Sequence, residues 1–364
     1  MTIYIVDIEA VDNRYTKQWK EYLPKQIQKR TTEEVVVISG GDVPQSTTPG
    51  AFLNFGGTNI YKSNQLMQIG ELFCNGQIKN NDYFLYTDAW NPTVIQLKYM
   101  ASLLGIHIKI GGMWHAGSYD PQDFLGRLIG DQPWIRSAEH SMFSSYDHNF
   151  FATDYHIQMF SNGIFGWDNG KGWDITDPKL ANDTIVRAGW PMEYLSGSLT
   201  QYKGMPKENL ILFPHRIAPE KQVEIFRDLK QHMPEYEFIV CQDQTLTKNE
   251  YYNLLGRAKI VFSANLQETL GISWYEGLQV NCIPMVPNRL SYTEMAIYDF
   301  KYPSNWTSSF DNYIENQELI KNQIKEYIEN YSTYIPKIAI QCRMLEQEFF
   351  NGDRIYEVIN EFER

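Results

Sequence analysis

Short apolar runs rich in β-branched and aromatic residues recur along this chain, and longer stretches with helical spacing separate them. In the first half the runs fall at residues 3–6, 35–39, 83–87, 106–110 and 151–155, with a helical pattern at 95–104. The second half is more regular. It reads as strand at 210–214, helix at 220–231, strand at 237–241, helix at 248–256, strand at 260–263, helix at 272–279 and strand at 283–286. Strands alternating with helices indicate parallel sheets joined by crossover helices, so the fold class is α/β, with a Rossmann-like series in the second half. Gly and Asn cluster at 162–172 and predict a surface loop or lid. Small and polar residues at 196–203, after Gly189-Trp190-Pro191, mark a boundary. Three segments follow: 1–198, 199–336, and 337–364 as one or two amphipathic helices.

At 364 residues the chain exceeds a comfortable single core. No apolar stretch reaches the roughly 18 residues that span a bilayer, and the first residues read as a strand rather than a signal peptide. A cytoplasmic protein without stable membrane insertion is therefore expected, with oligomeric state left open. Cys74, Cys241, Cys282 and Cys342 are widely spaced, without a metal-binding or paired motif, and are expected to be reduced, buried thiols. The net charge of −12 argues against nonspecific coating of nucleic acid. Residues 17–30 are locally basic, and their first expectation is a solvated helix face, ahead of a phosphate or membrane contact.

The segment most informative about chemistry is ANLQETLGISWYEGLQVNCIPMVPN, residues 264–288. Gly271 sits where a loop turns into a helix, so backbone N–H groups there can approach an anion and the helix N-terminus favours a pyrophosphate. Glu276, further into the helix, can accept hydrogen bonds from two ribose hydroxyls. Upstream, Arg216 and Lys221 leave a strand and enter a helix. Two cations there can neutralise a departing nucleoside diphosphate without a metal. No Asp-x-Asp follows a strand, and no metal site or cofactor is expected. The alternative for Arg216 and Lys221 is an ion pair with Glu220 or Glu224; for the carboxylates it is a solvated helix face.

The pair R-x4-K (Arg216, Lys221) followed by E-x7-E (Glu268, Glu276) resembles the donor domain of retaining GT-B glycosyltransferases of the family-four and glycogen-synthase-like group. The flanks carry the same resemblance. LILFPHRIAPEKQ is similar to that family's strand-loop-helix entry, and residues 267–288 to its EGFGLPxxEAxxxGxPVV stretch at the acidic and Gly positions. The resemblance implies a GT-B fold: two Rossmann-like domains facing a central cleft, with a C-terminal helix crossing back to the first. It implies Arg216 and Lys221 on the diphosphate, Glu276 on the ribose, and Glu268 with the Thr269-Leu270-Gly271 backbone on the sugar and phosphate. Of these, Glu268, Arg216 and Lys221 would be catalytic. The donor would be a nucleotide-sugar, UDP-sugar by default, and transfer would retain anomeric configuration. His115, after a strand, would lie beside the transferred sugar as a further catalytic residue, or else be a satisfied interdomain histidine. Gly189-Trp190-Pro191 resembles the family's G-x-P before the hinge.

The first strand is followed by DIEAVDNR where relatives carry a Gly-Gly loop, and Arg14 would substitute for its phosphate contact. Asp88, Trp114 and Asp120 are acceptor-side candidates, with loop capping the alternative for Asp88. The polar stretch at 54–59 reads as a strand-end loop. Aromatic residues make up 14% of the chain, and Trp90, Trp114, Trp134, Trp167, Trp173, Trp190 and Trp274 offer flat surfaces to sugars or extruded bases. The style of the first half resembles phage-encoded enzymes that glycosylate hydroxymethylated DNA pyrimidines, which would make DNA one acceptor alongside glycans and small molecules. A nucleotide-sugar epimerase of the same fold needs acid/base carboxylates that Asp88 and Asp120 do not clearly provide. A non-enzymatic shell has no need of Arg216, Lys221, Glu268 and Glu276 together.

Overall fold

The computed structural model describes residues 1–11, 15–44, 53–166 and 184–361. It divides into two compact units, Met1–Pro191 with Gly352–Arg364, and Met192–Asn351. In the first unit six parallel strands, β1 (Thr2–Val6), β2 (Glu34–Ile38), β3 (Tyr83–Tyr86), β4 (Lys109–Met113), β5 (His148–Phe151) and β6 (Ile185–Arg187), lie in the order β2-β1-β3-β4-β5-β6. In the second, β7 (Glu208–Phe213), β8 (Glu237–Val240), β9 (Ala258–Phe262), β10 (Ile283–Pro287) and β11 (Lys301–Tyr302) lie in the order β11-β10-β9-β7-β8, again parallel. Helices on both faces bury these strands, which is why they read as continuous apolar runs: Tyr83, Phe84, Leu85 and Tyr86 are all fully buried.

The largest shifts from the sequence expectation have local causes. The strand expected at 106–110 begins at Lys109, which pairs with Tyr83, and continues through Gly111 and Gly112. Those strand positions must be glycine because a Cβ on Gly111 would lie 2.4 Å from the Tyr83 hydroxyl, and one on Gly112 2.6 Å from the Tyr146 ring. The strand expected at 151–155 ends at Phe151, because the Thr153 hydroxyl accepts from His156 N–H and starts the helix Asp154–Phe165. That helix absorbs the first part of the loop expected at 162–172; positions 167–172 fall outside the described residues. Residues 54–59 are not a loop either: Asn54 caps the helix Phe55–Cys74 through Gly57 N–H. The helix expected at 220–231 is broken at Gln222, whose φ of 51° separates a short turn from the helix Val223–His232.

The division between units falls after Pro191, not near residue 198. The helix Tyr194–Leu199 and the stretch at 196–203 belong to the second unit, where that helix packs on the helix Ile272–Gln279. The helix Tyr331–Glu348 packs on the same element, so the second unit extends to Asn351 rather than 336. Beyond it the helix Asp353–Glu361 groups with the first unit, where Arg30 pairs with Asp353 at 3.3 Å and lies over the Tyr356 ring. All four cysteines are free thiols, but Cys74 is exposed rather than buried, at the last turn of its helix. Ile340, on the helix Tyr331–Glu348, is exposed.

Candidate functional site

In an open parallel sheet the chain leaves its first strand to one side and later returns to the other, and the crevice at that reversal is where ligands bind, outside the carboxyl ends of the strands. In the second unit the reversal lies between β7 and β9, since β8 and β9 flank β7 on opposite sides. Arg216 and Lys221 follow β7, and Glu268 follows β9. The topology therefore gathers at one edge the residues that the sequence reading paired across about 50 positions.

Lys221 is buried, and its ammonium donates to Gln267 O at 2.5 Å and lies 3.4 Å from Glu268 Oε2. Burial holds its pKa below the ordinary lysine range, with Glu268 opposing that shift. Arg216 makes the expected alternative contact: its guanidinium grips the fully buried Glu220 through Nε, at 2.9 Å, and Nη2. Glu268 remains partly exposed, accepts from Asn265 Nδ2 at 3.3 Å, and stands 3.5 Å from Leu270 N. The loop carrying it is clamped by Arg289, which donates to the carbonyls of Asn265, Ala264, Ser304 and Thr307.

Gly271 ends that loop with φ of 84° and opens the helix Ile272–Gln279. A Cβ there would lie 2.6 Å from the Trp274 ring, so both conformation and space require glycine. Thr269 is half-buried and Leu270 buried. Glu276 is also buried and fully engaged. Lys248 Nζ lies 2.8 Å from Oε1, and Tyr251 donates to Oε2 at 2.9 Å. Lys248 and Tyr251 stand on the helix Lys248–Arg257, which opens with a capping box between Thr247 and Glu250. The sequence reading missed both residues; T-x-x-E at 247–250 announced their helix but not its approach to Glu276.

A further missed residue is His215, at the carboxyl end of β7. It is buried, its Nδ1 lies 3.4 Å from Ser273 Oγ, and burial together with the Lys221 charge holds its pKa well below the ordinary histidine value. His215 is therefore a neutral imidazole beside two cations.

The first-unit candidates separate. His115 Nε2 donates to Thr87 O at 2.7 Å, which leaves Nδ1 to pair with the Tyr15 hydroxyl at 2.9 Å, and Trp19 and Trp190 pack around the ring. These partners all belong to the first unit, so His115 is satisfied there. Trp114 is not an acceptor surface: it is fully buried, donates to Asn149 and stacks with Phe151. Trp190 and Trp274 are likewise buried, while Trp134 is exposed. Asp120 is buried and accepts from Gln122 N–H, a loop-turning role. Asp88 caps its loop through Trp90 N–H and pairs with Lys62 at 3.4 Å. Arg14, Trp167 and Trp173 lie outside the described residues.

The basic stretch forms the helix Tyr15–Gln28, with Trp19, Leu23 and Ile27 buried. Lys20 turns inward to Asp7, Ser39 and Tyr61, and Lys25 pairs with Glu21. Among the described residues, no three His, Cys, Asp or Glu side chains gather as a metal site, and no helix is long and apolar enough to cross a membrane.

No family model and no curated protein sequence matches the chain. Solved structures do. The catalytic domain of starch synthase IV from Arabidopsis thaliana, bound to ADP and acarbose, superposes with a TM-score of 0.60 at 10% identity, over 99% of this chain and 98% of that one. Sucrose-phosphate synthase from Thermosynechococcus elongatus gives 0.61 at 10% identity, over 100% and 98%. A lipopolysaccharide outer core galactosyltransferase in its apo form gives 0.55 at 9% identity, over 99% of both chains. These similarities, with two parallel-sheet units and a final helix returning to the first, establish that the chain has the GT-B fold.

Proposed function

We propose that the chain is a glycosyltransferase that moves a sugar from a nucleoside-diphosphate donor, by default a UDP-sugar, to an acceptor hydroxyl. The observation that carries this reading is the convergence of Arg216, Lys221 and Glu268 at the β7/β9 reversal, beside the glycine-opened helix that presents Glu276. The fold agrees, since the solved neighbours include a starch synthase bound to ADP and an O-GlcNAc transferase bound to UDP and GlcNAc.

Arg216 and Lys221 take the diphosphate, Glu276 the ribose, and Glu268 with the Thr269-Leu270-Gly271 backbone the sugar and adjoining phosphate. The bond from the anomeric carbon to the diphosphate oxygen breaks, the acceptor oxygen bonds to the same face of that carbon, and the acceptor proton leaves with the diphosphate. The two cations stabilise the charge that develops there and perform the work a divalent metal does elsewhere. His115 reaches a donor hydroxyl only by exchanging the Tyr15 hydroxyl on Nδ1, so its part is smaller than the resemblance implies. Of the acceptor classes, hydroxymethylated DNA draws no support from Lys20 of the helix Tyr15–Gln28, which turns inward to Asp7.

The test is a transfer assay. Radiolabelled UDP-, ADP- and GDP-sugars are offered with cell-envelope glycans and, in parallel, hydroxymethylated DNA, and products are weighed by mass spectrometry. A sugar-mass increment on one acceptor, unchanged by a chelator and with the donor's anomeric configuration by NMR, is expected. Absence of both transfer and nucleotide release with every donor overturns the reading.

A further inference from the structure

From β2 to β3, β3 to β4 and β4 to β5 the chain steps across the first sheet in one direction, so right-handed crossovers set the three connecting helices on one face. These are the helices Phe55–Cys74, Thr93–Leu104 and Pro133–Ser145, and the second packs against both of the others. The middle helix buries Val94, Leu97 and Ala101 on its inner side. Its outer side is apolar as well: Ile95, Tyr99 and Leu103, spaced by four, are 37%, 64% and 66% exposed. Ile60 and Met67 continue this surface on one neighbour and Trp134 on the other, all more than half exposed. A helix apolar on both sides belongs between two layers, and the described residues supply one of them.

Charge is sparse on the same face. Among the exposed residues of the three helices only Glu71 is charged. Lys62 and Arg136 are mostly covered and pair with Asp88 and Glu139, and Lys98 reaches Asp147 at 3.4 Å. The helix Phe310–Glu329 of the second unit, by contrast, carries seven charged residues in 20 positions, so composition alone does not explain the lack. The serines of the face do not demand water either. Ser102, Ser137 and Ser141 each donate to the carbonyl four residues back, at 2.8, 3.1 and 2.8 Å, so covering them strands no donor.

A chain of net charge −12 repels its own copies. Two copies associate best where like charges are not brought together, and about a two-fold axis the same patch meets itself. Ile, Tyr, Leu and Ser tolerate that self-pairing, whereas a patch of one charge does not. An anionic membrane calls for several exposed lysines or arginines, and the three helices offer none beyond Lys98, which is paired. With 20, 12 and 13 residues, the helices span roughly 700 Å² at about 1.5 Å per residue and 10 Å across, close to the ~800 Å² that each partner of a stable pair covers.

We propose that this face is a homodimer interface, with Tyr99 and Leu103 along its middle and a second copy of the chain, related by a two-fold axis, as its occupant. The proposal concerns the first unit alone and is independent of what the second unit binds.

Sedimentation velocity of the full chain between about 1 and 100 µM tests it, since interfaces of this area bind at micromolar affinity or tighter. The wild-type chain should sediment at twice its 42.5 kDa. Tyr99→Glu and Leu103→Glu should each weaken the pair about tenfold or more by burying an unpaired charge, with the melting temperature of the monomer unchanged. Ile314→Glu, at a half-exposed position of the second unit, should leave the pair intact. A wild-type chain that is monomeric throughout the range overturns the proposal, as does a dimer that survives both first-unit variants or one that Ile314→Glu dissolves equally. A monomer that co-sediments with phosphatidylcholine–phosphatidylglycerol vesicles and is released by Leu103→Glu also overturns it, by assigning the face to a lipid surface.

Discussion

The Lys248 ammonium sits 2.8 Å from Glu276 Oε1 in an ion pair whose carboxylate is buried and whose lysine is 29% exposed. With Tyr251 donating to the other oxygen, the carboxylate proposed to bind ribose is already engaged. A nucleotide must displace one of these partners. Removing the Tyr251 hydroxyl in Tyr251→Phe should therefore tighten UDP binding about three- to tenfold, the worth of one hydrogen bond no longer exchanged. Calorimetric titration reads this directly, and weaker binding in the variant would show that Tyr251 belongs to the nucleotide site rather than competing for it.

Arg216 and Glu220 allow charge and structure to be separated. Glu220 is fully buried beneath the guanidinium, so Arg216→Gln alone should cost about 3 kcal/mol by removing the guanidinium that pairs with that carboxylate. Arg216→Gln with Glu220→Gln should recover most of the melting temperature. Turnover should stay about 100-fold or more below wild type in both, because the leaving diphosphate has lost a cation. Recovery of turnover in the double variant would assign Arg216 a structural role only.

The pH dependence follows from Lys221, whose folded pKa is held below the ordinary lysine range by burial. On the proposed reading its charged form holds the diphosphate, so nucleoside diphosphate affinity should fall as pH rises through that lowered pKa, earlier than an ordinary lysine would lose its charge. Lys221→Arg, which stays protonated, should flatten this alkaline limb. Affinity measured between neutral and strongly alkaline pH checks both.

How far the sequence made this legible can be traced to particular residues. Arg216 with Lys221 and Glu268 with Glu276 are close in sequence, five and eight residues apart, so spacing along the chain was enough to single them out. Gly271 was readable for the same reason, since one backbone angle explains it. Glu276's partners were not, because Lys248 and Tyr251 stand on a separate helix and no spacing along the chain reports that contact. Gly111 and Gly112 fall beyond the strand expected at 106–110 because the Tyr83 and Tyr146 rings that require glycine there are supplied by other elements. Trp114 offered a flat ring to an acceptor only until its packing on Phe151 and Phe160 was visible.

Gly271→Ala probes the helix opening proposed to face the phosphates. A φ of 84° costs a non-glycine residue about 1–2 kcal/mol, and the added methyl meets the Trp274 ring. The melting temperature should fall by several degrees and UDP affinity by about tenfold or more. A variant that melts lower but binds UDP normally would place the phosphate away from this turn.

The central claim is that the second unit binds a nucleoside diphosphate at the β7/β9 edge, with Glu276 on the ribose. Isothermal titration of UDP, ADP and GDP into the wild-type protein and Glu276→Gln tests it most directly. The account predicts saturable binding of at least one of the three, lost by about tenfold or more in Glu276→Gln, with the fold retained by circular dichroism. No binding by the wild-type chain, or equal affinity in the variant, would contradict it.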